Sequence, residues 1–212
     1  MTDVVTEKPR RGRPPVSDEQ RQQQRLEISR HAVRLFAEQG VANTSGEQIA
    51  QAAGVSERTF WRYFPHKEAC VEPLLTKMVG AFCEVLRAWP AELELIDHLR
   101  AAYSPLLDGA TDEDIEAVLE VVRLTQNEPA LRAAYLTLRE RAEHTLAEVL
   151  AGRTGLPQDA IEIRVQAAAV SAVLKVATDD VARSTSKGVT RDMLELHREQ
   201  IADALRGLSR LR

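Results

Sequence analysis

Between Thr44 and Lys67 the chain reads TSGEQIAQAAGVSERTFWRYFPHK, an order of residues that few folds accommodate. Ile49, Ala50 and Ala53 share one face at helical spacing, so the first half is a short amphipathic helix. Gly54 follows at once, and glycine ends a helix in the left-handed conformation without a Cβ clash. Ser56 then caps a second helix, its hydroxyl accepting from the free N–H groups of the first turn. Val55 before that cap and Phe60 beyond it are spaced as a hydrophobic staple. Small Ala50 and Gly54 with apolar Phe60 let two helices cross closely, the requirement of a helix-turn-helix.

The second helix is odd for an element that only fills a core. Phe60 and Phe64 mark its inner face at i, i+4. Glu57, Arg58, Thr59, Trp61, Arg62 and Tyr63 occupy the rest. Arginine reads guanine edges, a threonine methyl meets the thymine methyl, and a tyrosine hydroxyl bonds phosphate. A merely solvated helix would also carry charge. It would not also need the turn glycine, the cap and this helix spacing.

The segment resembles the DNA-binding domain of the tetracycline-repressor (TetR) family of one-component bacterial regulators. The family pattern appears as Ile49-Ala50, Ala53-Gly54-Val55-Ser56, Thr59 to Tyr63, and Phe64-Pro65-His66-Lys67. It covers about 32–67. Arg58 stands where many members have glycine, and Trp61 where tyrosine is commoner; both bear on which operator is read. The resemblance implies a homodimer on a palindromic double-stranded operator and a ligand pocket in a second helical domain. It also implies that Lys67, at the start of the fourth helix, contacts phosphate.

The chain has 212 residues, 44% hydrophobic and 4% aromatic. With abundant Ala, Leu, Glu and Arg this favours an all-α fold of about nine helices. The expected division is a basic arm at 1–16, a helix-turn-helix domain at 17–66 and a regulatory and dimerisation domain at 67–212. The net charge of −4 hides an asymmetry. Residues 1–67 carry 11 Lys/Arg against 8 Asp/Glu, and 68–212 carry 17 against 24. A basic head on an acidic body is the layout of a DNA binder.

Other classes find little support. No apolar run reaches the ~20 residues of a membrane span, and the charged, proline-rich N-terminus lacks a secretory core; the expected location is the cytoplasm. Cys70 and Cys83, on one helix, would stand about 20 Å apart, too far for a disulfide. No metal or cofactor motif and no catalytic triad spacing occurs, so neither cofactor nor enzyme is expected.

Along the chain, Arg11-Gly12-Arg13-Pro14 has the form of an AT-hook core, so Arg11 and Arg13 are candidates for a narrow minor groove. The plainer reading is an unstructured basic tail. Ser17 and Gln20 form a capping box for the first helix. Ile28, Ala32, Leu35 and Phe36 are its inner stripe, and Gly40 stops it. Thr44 or Ser45 caps the next helix and is placed to hold a phosphate at its N-terminus. A long helix is expected from near Lys67 to Pro90. Further helices are expected at 91–107, 112–126, 129–151, 158–183 and 191–210, with Asp112 to Asp114 as an acidic capping turn.

The 158–183 helix is apolar nearly all round and must be buried on several sides. With 191–210 it resembles the family's dimerising pair, a four-helix bundle formed with a second copy; a single monomeric core is the alternative. A pocket is expected among 67–151, lined by Phe82, Trp89, Tyr103 and Tyr135 with Arg123 as its polar anchor. An acyl-CoA or another apolar anion would suit it. The alternative for Arg123 is a pairing with Glu120 or Glu128. The whole then reads as a homodimeric, sequence-specific transcriptional repressor released by a small ligand; the alternative is an architectural DNA binder without ligand control.

Overall fold

The computed structural model describes residues 17–99, 101–102 and 112–184, with 196, 199–200, 203–204 and 206 beyond them. Every regular element among them is helical. The order is α1 (Asp18–Gln39), α2 (Gly46–Ala52), α3 (Glu57–Tyr63), a 3₁₀ turn (Lys67–Val71), α4 (Glu72–Arg87), α5 (from 95), α6 (Asp112–Leu124), α7 (Pro129–Thr154) and α8 (Ile161–Ser184). The helical residues at 196, 199–200, 203–204 and 206 fall within the expected ninth helix.

Local chemistry sets the early boundaries. The Ser17 hydroxyl accepts from the Gln20 N–H at 3.1 Å while the Gln20 side chain accepts from the Ser17 N–H at 3.1 Å, a closed capping box. Of the two candidate caps for α2, Ser45 is the one used: its hydroxyl accepts from Gln48 N–H at 3.2 Å, and Gln48 returns the bond at 2.7 Å. Gly54 has φ +64°. Its N–H donates to Gln51 and the Val55 N–H reaches back to Ala50, so two end carbonyls of α2 are satisfied in a Schellman motif.

Several expected boundaries move, α6 ending at Leu124 and α8 starting at Ile161 among them, and three of the moves have a direct physical reason. The helix expected from Lys67 begins as a 3₁₀ turn, and α4 starts at Glu72 because Pro73 fits only a first turn. Helix α5 starts at 95, not 91. The 91–94 stretch is a turn whose carbonyls are taken by Arg153, which donates to Pro90 at 2.7 Å, Ala91 at 3.0 Å and Leu93 at 3.2 Å. Helix α7 runs past Ala151 to Thr154, where Gly155 at φ +73° supplies the left-handed stop.

Two apolar clusters hold the bundle. One joins Ile28, Ala32 and Phe36 of α1 to Ile49, Phe60 and Phe64, then continues into the body through Leu74, Ile115, Val121, Leu131 and Tyr135. The other gathers Leu86, Leu99, Leu146, Leu150, Ile163 and Ala167. Helix α4 contributes to both. Each fully buried Phe, Leu or Ile contributes about 1.5–3 kcal/mol, so head and body are welded by the first cluster.

Gly46, the first residue of α2, is buried against α3. A Cβ there would lie 2.3 and 2.6 Å from Trp61 ring carbons and 2.8 Å from Phe60. Its value lies in having no side chain. Gly80, exposed in α4, has nothing within 4 Å of an added Cβ. Gly46→Ala should therefore lower stability by about 1–3 kcal/mol through overpacking, whereas Gly80→Ala should raise it by about 0.5–1 kcal/mol. Urea unfolding of both variants, followed by tryptophan fluorescence, reads the opposite signs.

Candidate DNA interface and body cavity

Helix α3 is fixed on three sides. The Ser56 hydroxyl accepts from Thr59 N–H at 3.2 Å and shares a hydrogen with the Thr59 hydroxyl at 3.0 Å. Phe60 and Phe64 are buried, and Phe60 meets the Trp61 ring edge-on at 4.7 Å between centroids. The Tyr63 hydroxyl donates to Gln24 of α1 at 2.8 Å. What remains outward is Glu57, Arg58, Arg62 and nearly half of Trp61. The Arg62 guanidinium lies 5.2 Å from the Tyr63 ring centre, which holds one cation in place on the rim.

Thr44 was expected beside them, and the structure corrects this. It is 2% exposed, and its hydroxyl donates to the Gly40 carbonyl at 2.8 Å while accepting from Gln39 at 3.2 Å. It braces the α1–α2 turn from inside. The Lys67 ammonium is likewise engaged, donating to the carbonyls of Val41 at 2.5 Å and Thr44 at 2.8 Å. It ties the end of α3 to the turn that opens α2. Arg11 and Arg13 lie outside the described residues.

The body holds an apolar cavity of about 150 Å³ among α4, α6, α7 and α8. Phe82 and Tyr135 line it as expected, with Leu75, Ile115, Val118 and Leu174 among the aliphatic wall. Trp89 does not line it. Its ring is covered by the Arg153 guanidinium at 3.7 Å and its N–H donates to Leu93 at 2.8 Å. Tyr103 lies outside the described residues. Arg123 is not the anchor either: it is paired with Glu120 one turn away and donates to the Ala182 carbonyl at 3.2 Å. The cation on the wall is Arg139, one turn from Tyr135 on α7. Burial pushes the Tyr135 phenol up from its usual range, against the pull of the Arg139 charge, so it stays protonated.

Asp114 is a further residue that the sequence misplaced. Its side chain is fully buried instead of capping α6 at the surface. Oδ1 accepts from Arg30 Nε of α1 at 2.7 Å, and Oδ2 accepts from Arg30 at 3.1 Å and from Lys77 of α4 at 2.5 Å. Burial alone would raise this carboxyl; the hydrogen bonds and charges of Arg30 and Lys77 outweigh it and hold it below the usual carboxylate range. One carboxylate thus joins the head, the long helix and the cavity wall, since its neighbours Ile115 and Met78 both line the cavity.

A helix-turn-helix with a cationic outer face, set on a helical body with an internal cavity, defines a one-component DNA-binding regulator. Comparison with known proteins gives the same class. Residues 28–74 match the family described as bacterial regulatory proteins, tetR family, and 93–206 match the MftR C-terminal domain. The chain belongs to the TetR family of transcriptional regulators.

It is 33% identical over 140 residues to the HTH-type transcriptional regulator TcmR of Streptomyces glaucescens, covering 64% of this chain and 62% of that protein. With the putative mycofactocin biosynthesis transcriptional regulator MftR of Mycobacterium tuberculosis it shares 30% over 130 residues, 60% and 64% of the two chains. The matched region thus spans under two thirds of either relative. Among solved structures it is similar to Thermus thermophilus FadR, a TetR-family transcriptional repressor in complex with lauroyl-CoA, at 26% identity and TM-score 0.53 over 86% and 91% of the chains. Salmonella enterica GusR shares the fold at 19% identity and TM-score 0.58, over 90% and 98%. No helix among the described residues is long and apolar enough to cross a membrane.

Asp114→Asn should cost about 3 kcal/mol, because two cations lose the charge that compensates them; the half-exposed Lys77 contributes the smaller part. A carboxyl lowered by folding gives stability that is full above its unfolded pKa and lost as the pH falls through the folded one. The gap between wild type and Asp114→Asn should therefore be widest near neutrality and narrow below about pH 4. Urea titrations at the two pH values measure it.

Proposed function

We propose that the protein is a homodimeric repressor that leaves a palindromic operator when a small apolar ligand enters the α4–α8 cavity. The observation that carries the reading is the continuity of one core from the recognition helix to the cavity wall: Phe60 and Phe64 belong to the same cluster as Ile115 and Leu119. A purely architectural binder needs no void at that seam.

In this reading Arg58 and Arg62 meet base edges or phosphates. Trp61 and Thr59 contact bases, Tyr63 and Lys67 steady the backbone, and Ser45, Ser56 and Glu57 border the phosphates at helix N-termini. The basic arm enters the flanking minor groove. Dimerisation is supported by α8, whose Ile161, Val165, Ala168, Ala172 and Val176 form an exposed apolar stripe along one face. Ile161, Val165 and Val176 are each more than half exposed, a face that a second copy would cover as a four-helix bundle with the 191–210 segments. The ligand would be an acyl-CoA or another apolar anion; binding of lauroyl-CoA by the Thermus FadR supports the first form.

A ligand that wedges α4 from α6 strains the Lys77–Asp114–Arg30 junction, and through α1 it re-aims α3. Because binding free energies are linked, it must weaken operator binding by the factor by which operator weakens the ligand.

Footprinting of the DNA upstream of the protein's own gene tests the reading. A protected, roughly palindromic site is expected, with Arg58→Ala and Arg62→Ala each costing about 1–3 kcal/mol and relaxing one position of each half-site. Full affinity in the double variant would remove these two residues from the interface. Val165→Glu should give a monomer by sedimentation equilibrium and lose the footprint while keeping its helical content. If it stays dimeric, α8 is not the seam.

A further inference from the structure

The polar groups on the cavity wall are donors except for one carboxylate, Glu143. Arg139 Nη2 donates to the Ser171 carbonyl at 2.5 Å, and Nη1 reaches the Tyr135 hydroxyl only at 3.4 Å. Both acceptors are neutral, and no carboxylate among the described residues forms an ion pair with Arg139. The Tyr135 hydroxyl receives that bond, yet its own hydrogen goes to no described residue, and the same holds for the Ser171 hydroxyl. The other wall hydroxyl, of Thr178, is spent on the Leu174 carbonyl at 2.8 Å. Two hydroxyl donors without an acceptor and one cation bonded only to neutral groups therefore line a cavity whose remaining wall is apolar apart from Glu143 and Thr178. Glu143 also borders the cavity but makes no ion pair with Arg139, and a cation paired only with neutral groups, beside hydroxyl donors facing apolar space, is what an anion completes.

Size narrows the choice. A cavity of about 150 Å³ matches one benzene-sized ring or a short chain. Beyond Arg139, on the α7–α8 surface, lies a groove lined by Glu140, Glu143, Asp159, His144 and Arg164. Three carboxylates there face one permanent cation. A coenzyme-A group reaching from the cavity into that groove would set its phosphates against an acidic surface. Glu143 borders both spaces and repels them further.

We propose that the effector is a compact free monocarboxylate, a single ring or a short chain in size, with its carboxylate accepting from Arg139, Tyr135 and Ser171. This rests on the ligand-release reading above and replaces the thioester form of the ligand by the acid. The neutral Tyr135 phenol is the donor suited to a buried carboxylate, and Phe82 with the aliphatic residues of α4 and α6 surrounds the ring or chain.

Calorimetric titration of the full chain with benzoate, hexanoate, benzyl alcohol, benzylamine and lauroyl-CoA tests it. Benzoate or hexanoate should bind best. Arg139→Gln should weaken them by about tenfold to a hundredfold, the worth of a charge-assisted bond, with Arg139→Lys recovering part of the loss and benzyl alcohol indifferent to both. Should Arg139→Gln fail to fold, Tyr135→Phe and Ser171→Ala, which remove one donor each and little volume, should each weaken the carboxylates several-fold. Preference for benzylamine would assign the site to Glu143 and a cation. Preference for lauroyl-CoA would restore the thioester, and carboxylate binding equal in all variants, or absent, would equally overturn the proposal. Operator binding measured without any ligand is scored separately: a specific footprint with no carboxylate binding sinks this inference alone, while no footprint sinks the regulator reading.

Discussion

Helix α4 has to belong to two hydrophobic clusters at once, and the rest of the molecule is arranged around that demand. Leu74 and Leu75 near its start pack with the recognition domain, while Leu86 near its end packs with α7 and α8. Interiors are close-packed, so two clusters sharing one rigid rod cannot both be ideally filled unless every intervening side chain fits. Here they are not. The cavity lies at the seam, bounded on one side by Leu75, Ile115 and Tyr135 of the first cluster and on the other by Phe82, Leu146 and Leu174 of the second. A void at that place forfeits dispersion contacts, about 20 cal/mol for each Å² of its surface by the cost of engineered cavities. Filling it recovers them, and the recovery is available only to a ligand.

Electrostatics repeat the same division of labour. The exposed charges of α3 are cations on a surface that water reaches, where they act over a Debye length and lose strength with salt. The Asp114 junction is of the other kind. Its carboxylate is fully buried and shared between Arg30 and the half-exposed Lys77. In the proposed reading surface cations would bring DNA in, and the buried junction would set the angle at which the head presents them. A perturbation of a few tenths of an ångström that rim arginines would absorb by changing rotamer is felt at Asp114 as a lost bond.

What could be read from the chain beforehand follows the range of the interactions. Caps and stops are settled within four or five residues, so the Ser17–Gln20 box, the Gly40 and Gly54 stops and the Ser56 cap are all visible as spacing. The helix-turn-helix and the all-α class rest on these local signals. Gly46 was not visible as a contact point, because its partner Trp61 sits on another helix. Asp114 reads as a capping acid in Asp-Glu-Asp; only the approach of Arg30 and Lys77, 84 and 37 residues away, shows otherwise. The Arg123 expectation failed at shorter range, and a signal existed. Glu120 stands three residues before Arg123 on the same face, an intrahelical partner that removes the need for a ligand. Tyr135 and Arg139 share a face at i, i+4, and choosing Tyr135 as wall already pointed to Arg139.

A cavity of this size sets how such a molecule can switch. To carry a two-state equilibrium from one side to the other, a ligand must discriminate between the states by several kcal/mol, and tight binding to both moves nothing. A large open pocket would admit its ligand in either arrangement of α4. A smaller one, lined between α4 and α6 by Met78, Val79, Val118 and Leu119, would admit it fully only where those helices stand slightly apart. That separation is the movement the Lys77–Asp114 contact resists. In the proposed ligand-release reading the discrimination would come from the same few side chains that hold the head, and the fit of the cavity would couple its occupancy to DNA binding.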